Sequence, residues 1–552
     1  MPNDPDTFSF DLTERPWIPV QWLDGSQTEL ALPEVFRWAP RLRRVVGDIP
    51  TQEFALLRLL LAIVHDAVDG PEDTEHWREL WEGGIPAEEI AAYLEQHRHR
   101  LDLLHPETPF FQVVDLRTAK DEISSLDRIV GDVPNGTPFF TMRARGTARL
   151  GFAEAARWVV HAHAYDPSGI KSGVLGDPRV KNGKGYPQGV GWAGGLGGVF
   201  VEGDDLRQTL LLNLVATDTD HLRAAEADRP AWRFDPPGAA PLEGKEKEER
   251  PYGVRDLYTW QGRRLRLRYD TDGVYGVVLA YGDPLEAHNR HNREPMTGWR
   301  RSPAQEKKRG EPQVYLPREH EPARSAWRGL ASLLADQAPG SGQRQDAAEG
   351  LRPRILEWVA RLTVEGYLDE NHLVRARLVG AVYGTQQSVI DEVVDDRVVM
   401  AVALLHEDNP ELARTAIDAV SDAEAAVTAL GNLAADLAQA VGADPGGPRA
   451  ATRDRGFGEL DGPFRDWLAT LGRSSDSEER RATWQRTARR AVARIAAELV
   501  ENAGETAWSG RLVSTGNGDL WLNSAHAERR FHRELSRKLP MSTREQTAEV
   551  PA

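Results

Sequence analysis

Apolar residues between Thr51 and Asp69 recur at helical spacing, with Leu56, Leu57, Leu60 and Ile63 on one side, and predict an amphipathic helix. Pro33 to Phe36 opens a shorter helix before it, and Thr74 to Leu104 continues in helical patterns broken at Gly83-Gly84. Pro109 to Val114 and Val199 to Val201 read as short strands. The clearest strand pair is Arg264 to Tyr269 and Val274 to Tyr281, alternating in polarity around Thr271-Asp272-Gly273, the pattern of an antiparallel hairpin. From Asp395 onward the pattern predicts helices only, over Val398 to Leu405, Pro410 to Val441, Ser477 to Asn502 and Asp519 to Leu539, with a loop at Gly442 to Pro448. Four such blocks with modest connections predict an antiparallel bundle. The expected fold class is α+β: a mixed N-terminal α/β domain with antiparallel strands over 1–390, then a C-terminal four-helix bundle over 391–552.

Composition adds exclusions more than assignments. At 552 residues the chain is too long for one core, in keeping with two or more domains. The absence of cysteine excludes disulfides, thiolate metal sites and cysteine nucleophiles, and fits a reducing cytoplasm. Met1 to Asp6 lacks the basic and apolar regions of a signal peptide, and Phe54 to Val68 is interrupted by Arg58, His65 and Asp66. The expectation is a soluble cytoplasmic protein without a membrane partner. A net charge of −17 argues against indiscriminate polyanion binding over the whole surface, but local basic patches still act within a screening length of roughly 8–10 Å.

No catalytic constellation emerges. Gly189 to Gly194 matches a bare dinucleotide fingerprint, yet Tyr186-Pro187-Gln188 precedes it and a strand follows, so the required strand–turn–helix context is missing. His161 and His163, His406-Glu407-Asp408, and His526 with His532 all lack the spacing of a zinc site. They read as structural histidines, and no metal or cofactor is expected. Asp166 to Gly198 is a long glycine-rich stretch containing Ser168, Gly169, Ile170, Lys171, Ser172 and Gly173, with Arg179, Lys181 and Lys184 beyond. Glycine lets backbone approach a ligand closely and the cations suit phosphates; the alternative is an ordinary surface loop. A second basic run from His288 to Arg309 includes Arg290, Arg293, Arg300 and Arg301 around Trp299, and reads equally as a charged loop around a buried tryptophan. Arg480 to Arg494 is a basic helix whose default reading is a solvated face.

An ordered set of segments resembles the CasA family, the large subunits of type I-E CRISPR Cascade complexes. They are Arg15 to Val20, the helix around Leu56 to Ile63, Thr108 to Gln112, the glycine-rich loop leading to Phe200-Val201-Glu202-Gly203, Leu210 to Asn213, and Tyr383 to Ser388. The resemblance covers nearly the whole chain. It implies a non-catalytic subunit that recognises the protospacer-adjacent motif (PAM) of double-stranded DNA from the minor groove, begins unwinding, and recruits a helicase–nuclease. Its implied partners are other Cascade subunits, the guide RNA, target DNA and the displaced strand.

By local match the family's glycine loop falls at Ser168, Gly169, Ile170, Lys171, Ser172 and Gly173, with an insertion that blurs its register. The basic finger falls at Arg290, and the glutamine wedge at Gln387 or the adjacent Gln386, whose plain reading is a polar helix start. A loop touching the guide's 5′ handle falls around Phe140, Arg143 and Arg145, and the displaced strand is assigned to Arg486, Arg490 and Arg494. Relatives with cysteines near the handle loop suggest a metal, which this cysteine-free chain lacks. The rival expectations are a metal-independent hydrolase with a helical accessory domain, and a scaffold that binds RNA or protein without reading DNA.

Overall fold

The helix Pro50–Ala67 carries its proline in the first turn, where no intrahelical N–H bond is lost, and every residue from Thr51 to Asp66 is buried. The amphipathic expectation is therefore corrected: this helix runs through the interior. Its charged side chains tolerate burial because each is paired. Arg58 donates to both oxygens of Glu294 at 2.9 and 2.8 Å, Glu53 accepts from Arg377 at 2.6 and 3.0 Å, and Asp66 accepts from the Tyr93 hydroxyl at 2.6 Å. Charges stay in a protein interior only when paired and hydrogen-bonded in this way.

The computed structural model describes residues 8–131, 146–219, 222–334, 349–406, 410–472, 476–515 and 518–543. Helices and small antiparallel sheets make an α+β fold. Two compact units divide the chain: one of Met1–Arg324, Asp336–Tyr367 and Arg375–Arg397, the other of Ser325–Ala335, Leu368–Val374 and Val398–Ala552.

In the first unit, Gly198–Glu202 pairs antiparallel with the long strand Leu373–Tyr383, which carries Ile390–Ala401 on its other edge. The expected hairpin forms as Arg263–Asp270 against Gly273–Tyr281, with Leu265 opposite Leu279 and Leu267 opposite Val277 in the core. Gly273 takes a φ of 126°, which the turn requires. Pro109 to Val114 is not the expected strand. Phe111 adopts a φ of 55° and stacks on Phe110 at 4.2 Å, while the Gln112 amide donates to the Leu103 carbonyl at 2.7 Å, so the segment is a tethered turn.

In the second unit, Pro410–Val441 packs against Gly446–Ala469, Ser477–Glu501 and Ser524–Lys538. Trp327 stacks on Phe464 at 4.3 Å and donates to Asp461 at 2.8 Å, and Trp484 meets Phe464 edge-on at 4.9 Å. Three expected boundaries are corrected. Strand Ile390–Ala401 continues beyond Val398, and only a short turn of helix, Val402–Leu405, follows. Asp519 lies in a strand, Gly518–Leu522, paired with Arg511–Thr515; the helix starts only after Asn523, whose side chain accepts from the His526 N–H. Gly446–Ala469 is a helix that the pattern hid. Its buried Phe457, Leu460, Phe464 and Leu468 keep helical spacing, but Gly456, Gly458, Gly462 and Pro463 interrupt the propensity.

Candidate nucleic-acid interface

Asp166 ends the buried helix Phe152–Tyr165 and fixes the glycine-rich loop from inside. Its carboxylate accepts from Lys171 Nζ at 2.8 Å and from Arg263 Nε, while Arg263 Nη2 reaches the carbonyls of Asp166 at 2.7 Å and Gly189 at 2.9 Å. Burial holds the Lys171 amine below its ordinary pKa, with Asp166 opposing that shift. The Tyr281 hydroxyl donates to the Gly169 carbonyl at 2.6 Å, and Arg128 Nη1 to that of Ile170 at 2.9 Å. The loop is thus rigid backbone held by side chains. Lys171 braces it, while Ile170 stays exposed.

Strands Leu373–Tyr383 and Ile390–Ala401 are joined by a tight turn in which Gln387 N–H donates to the Gly384 carbonyl at 2.8 Å and Gly384 N–H to the Val389 carbonyl at 3.1 Å. Gln386 and Gln387 have φ of 56° and 55°, and both are exposed. This is a hairpin tip and not a helix start. The Ser168 N–H donates to the Gln387 carbonyl at 2.6 Å. Two segments far apart in sequence are therefore one surface, with buried Ser168 at the seam and its Oγ accepting from the Gly189 N–H at 3.1 Å.

A cleft of about 240 Å³ opens beside the turn, lined by Gln387, Gln188, Trp192, Trp260, Tyr281 and Arg300 among others. Arg290 is not among its lining residues. It is half-buried, its guanidinium lies 3.4 Å from the Glu286 carbonyl, and burial lowers its pKa. Its basic neighbours serve the fold: Arg293 donates to the Arg223 carbonyl at 2.5 Å, Arg301 pairs with Glu306 at 2.6 Å, and Trp299 is buried. The glycines of the dinucleotide-like stretch allow close packing. A Cβ at Gly191 would lie 2.4 Å from the Ala164 backbone, and one at Gly194 would lie 2.1 Å from the Tyr383 hydroxyl.

Phe140, Arg143 and Arg145 lie outside the described residues. Of the basic-helix candidates, Arg486 pairs with Glu479 at 2.7 Å and Arg494 with Glu459 and Glu498, whereas Arg490 is exposed with no partner among the described residues. His161 Nε2 lies 3.0 Å from Thr51 Oγ1 and His163 Nε2 lies 2.9 Å from the Phe111 carbonyl, both in structural roles. Among the described residues no group of three His, Asp or Glu side chains could hold a metal, and no helix is long and apolar enough to cross a membrane. Sequence reasoning missed the bracing set of Asp166, Arg263 and Tyr281, for which no local signal exists. It also passed over the Asn182-Gly183 turn, which the dipeptide itself announces.

Residues 11–495 match the family model of the CRISPR-associated protein Cse1. The crystal structure of Thermobifida fusca Cse1 is 64% identical, with 97% of this chain and 99% of that one covered and a TM-score of 0.91. The CRISPR-associated protein CasA/Cse1 of Thermus thermophilus is 28% identical over 546 residues, 95% of this chain and 97% of its own length. A chain of a CRISPR RNA-guided surveillance complex shares the fold at 18% identity and a TM-score of 0.63, over 90% of this chain and 99% of that one. With the family model spanning both compact units, this chain belongs to the Cse1 (CasA) family of CRISPR-associated proteins.

Proposed function

We propose that this chain is the large, non-catalytic subunit of a cytoplasmic type I-E Cascade complex, and that it reads the PAM of double-stranded DNA and starts its unwinding. The observation that carries the reading is the Ser168–Gln387 hydrogen bond, which sets a rigid glycine loop beside an exposed glutamine turn. The minor groove offers little more than A·T-versus-G·C information, so backbone at Gly169 to Gly173 with one added donor, Arg290, suits a permissive reader. Gln387, with Gln386 beside it, projects from a strained tip as a wedge that unstacks the first base step.

The remaining roles are part of the same proposal, and family membership supports them. Residues 1–390 read the PAM and dock the guide's 5′ handle through Phe140, Arg143 and Arg145. Residues 391–552 hold the displaced strand, where Arg490 is exposed without a partner among the described residues and Arg486 and Arg494 flank it in sequence. The complex then recruits a helicase–nuclease. Gel-shift binding of guide-loaded complex, assembled with and without this chain, to targets bearing or lacking a PAM tests the reading. PAM-dependent binding that needs the chain and is lost in Gln387→Ala is expected; equal binding to both targets overturns it.

A further inference from the structure

The glycine-rich stretch carries four cations, and the fold treats them unequally. Lys171 is bound to Asp166. Arg179 is held by Asp177 at 2.9 Å and by the Gly282 and Tyr281 carbonyls at 2.8 Å each. Lys181 and Lys184 are exposed, and neither side chain has an ion pair or hydrogen bond among the described residues.

Those two lysines are also fixed in place. Lys181 N–H donates to the Lys184 carbonyl at 3.1 Å and Lys184 N–H to the Lys181 carbonyl at 3.0 Å, closing a two-residue turn over Asn182 and Gly183. Their φ values of 53° and 70° are those of a type I′ hairpin turn, which Asn-Gly favours. The turn is seated on the glycine loop. Lys184 lies opposite Ser172, and Gly173 N–H donates to the Gly183 carbonyl at 3.1 Å. A Cβ at Gly173 would lie 2.3 Å from the Gly183 backbone, so the approach needs glycine. Residues directly opposite across antiparallel strands share a face, so Ser172, Lys184 and Lys181 present one side.

Like charges directly opposite one another destabilise a strand pair. Here they stand without a carboxylate partner among the described residues, in a chain whose net charge is −17. A polyanion would turn that repulsion into attraction. We infer that Lys181 and Lys184 form a clamp for backbone phosphates of the DNA duplex beside the glycine loop. The inference rests on the reading that this loop approaches DNA. An ammonium is a point charge without the planar fork that recognises base edges, so the clamp adds affinity and carries no sequence information.

The test uses guide-loaded complex containing the full chain, as wild type, K181Q/K184Q and K181R/K184R. Affinity for duplexes with and without a PAM is measured from about 0.05 to 0.2 M salt, where each phosphate contact contributes roughly 0.9 to the slope of log K against log salt. The glutamine pair is expected to flatten the slope by about 1 to 2, to weaken binding to both duplexes, and to keep their ratio; the arginine pair restores the slope. An unchanged slope with PAM preference intact overturns the clamp and leaves the PAM reading standing. A wild-type complex without PAM preference overturns the reading beneath it. Loss of guide-RNA assembly in the glutamine pair, with the DNA slope retained, reassigns the lysines to RNA and overturns the inference.

Discussion

Gln386 and Gln387 hold left-handed backbone in succession, a conformation that disfavours an L side chain by roughly 1–2 kcal/mol. Such strain persists where surrounding structure enforces it, and here the Gly384 and Ser168 hydrogen bonds do so. Gln387→Gly relieves the strain while adding freedom to the unfolded chain, so stability in urea is expected to change by less than about 1 kcal/mol. Gln387→Val, which cannot relieve it, is expected to lose about 1–2 kcal/mol. If glycine destabilises the protein as much as valine, the turn is not strained as described. The glutamine pair was legible in the sequence only through the family likeness. Its backbone was not, because Thr385 to Ser388 carries no glycine to announce a left-handed turn. Lys171 was legible as a cation, but its direction was not, since Asp166, which it shares with Arg263, receives it only in the folded chain.

Among the elements, the glycine-bearing helix Gly446–Ala469 invites a direct experiment. A Cβ at Gly458 or Gly462 would meet nothing within 4 Å, whereas one at Gly456 would lie 3.1 Å from Val427. Alanine at 458 or 462 removes the entropy penalty of a helical glycine, and each is expected to raise stability by about 0.5–1 kcal/mol. Gly456→Ala is expected to gain nothing because the neighbouring helix must yield. Chemical denaturation of the three variants checks the ordering, and an equal gain at all three refutes the packing. The long hairpin was readable because Asp272-Gly273 marks its turn and polarity alternates on either side. The interior helix was readable as a helix but not as buried. Its Arg58 partner, Glu294, stands 236 residues away, so a paired charge looked like a solvent-facing one.

At the scale of the molecule, buried histidines set an acid limit. Burial lowers His161 from 6.5 to about 3 and His163 to about 4, and His65 likewise to about 3. Because the folded values lie below the unfolded ones, the unfolded chain binds more protons in acid. The stability these neutral rings contribute is complete above pH 6.5 and is lost as pH falls towards 4 and 3. Each ring adds a slope of up to about 1.4 kcal/mol per pH unit in that window. The urea midpoint is expected to be lower near pH 5 than near neutral pH, and a flat profile contradicts the burial. Class and family were legible from ordered segments along the chain, but the way distant segments interlock was not. That interlocking leaves a single proton as its witness. The N–H of Ser168, a residue 5% exposed, is committed to Gln387 and meets heavy water only when loop and turn part. Deuterium uptake at that one amide therefore counts the partings themselves, in the protein alone and before any nucleic acid arrives.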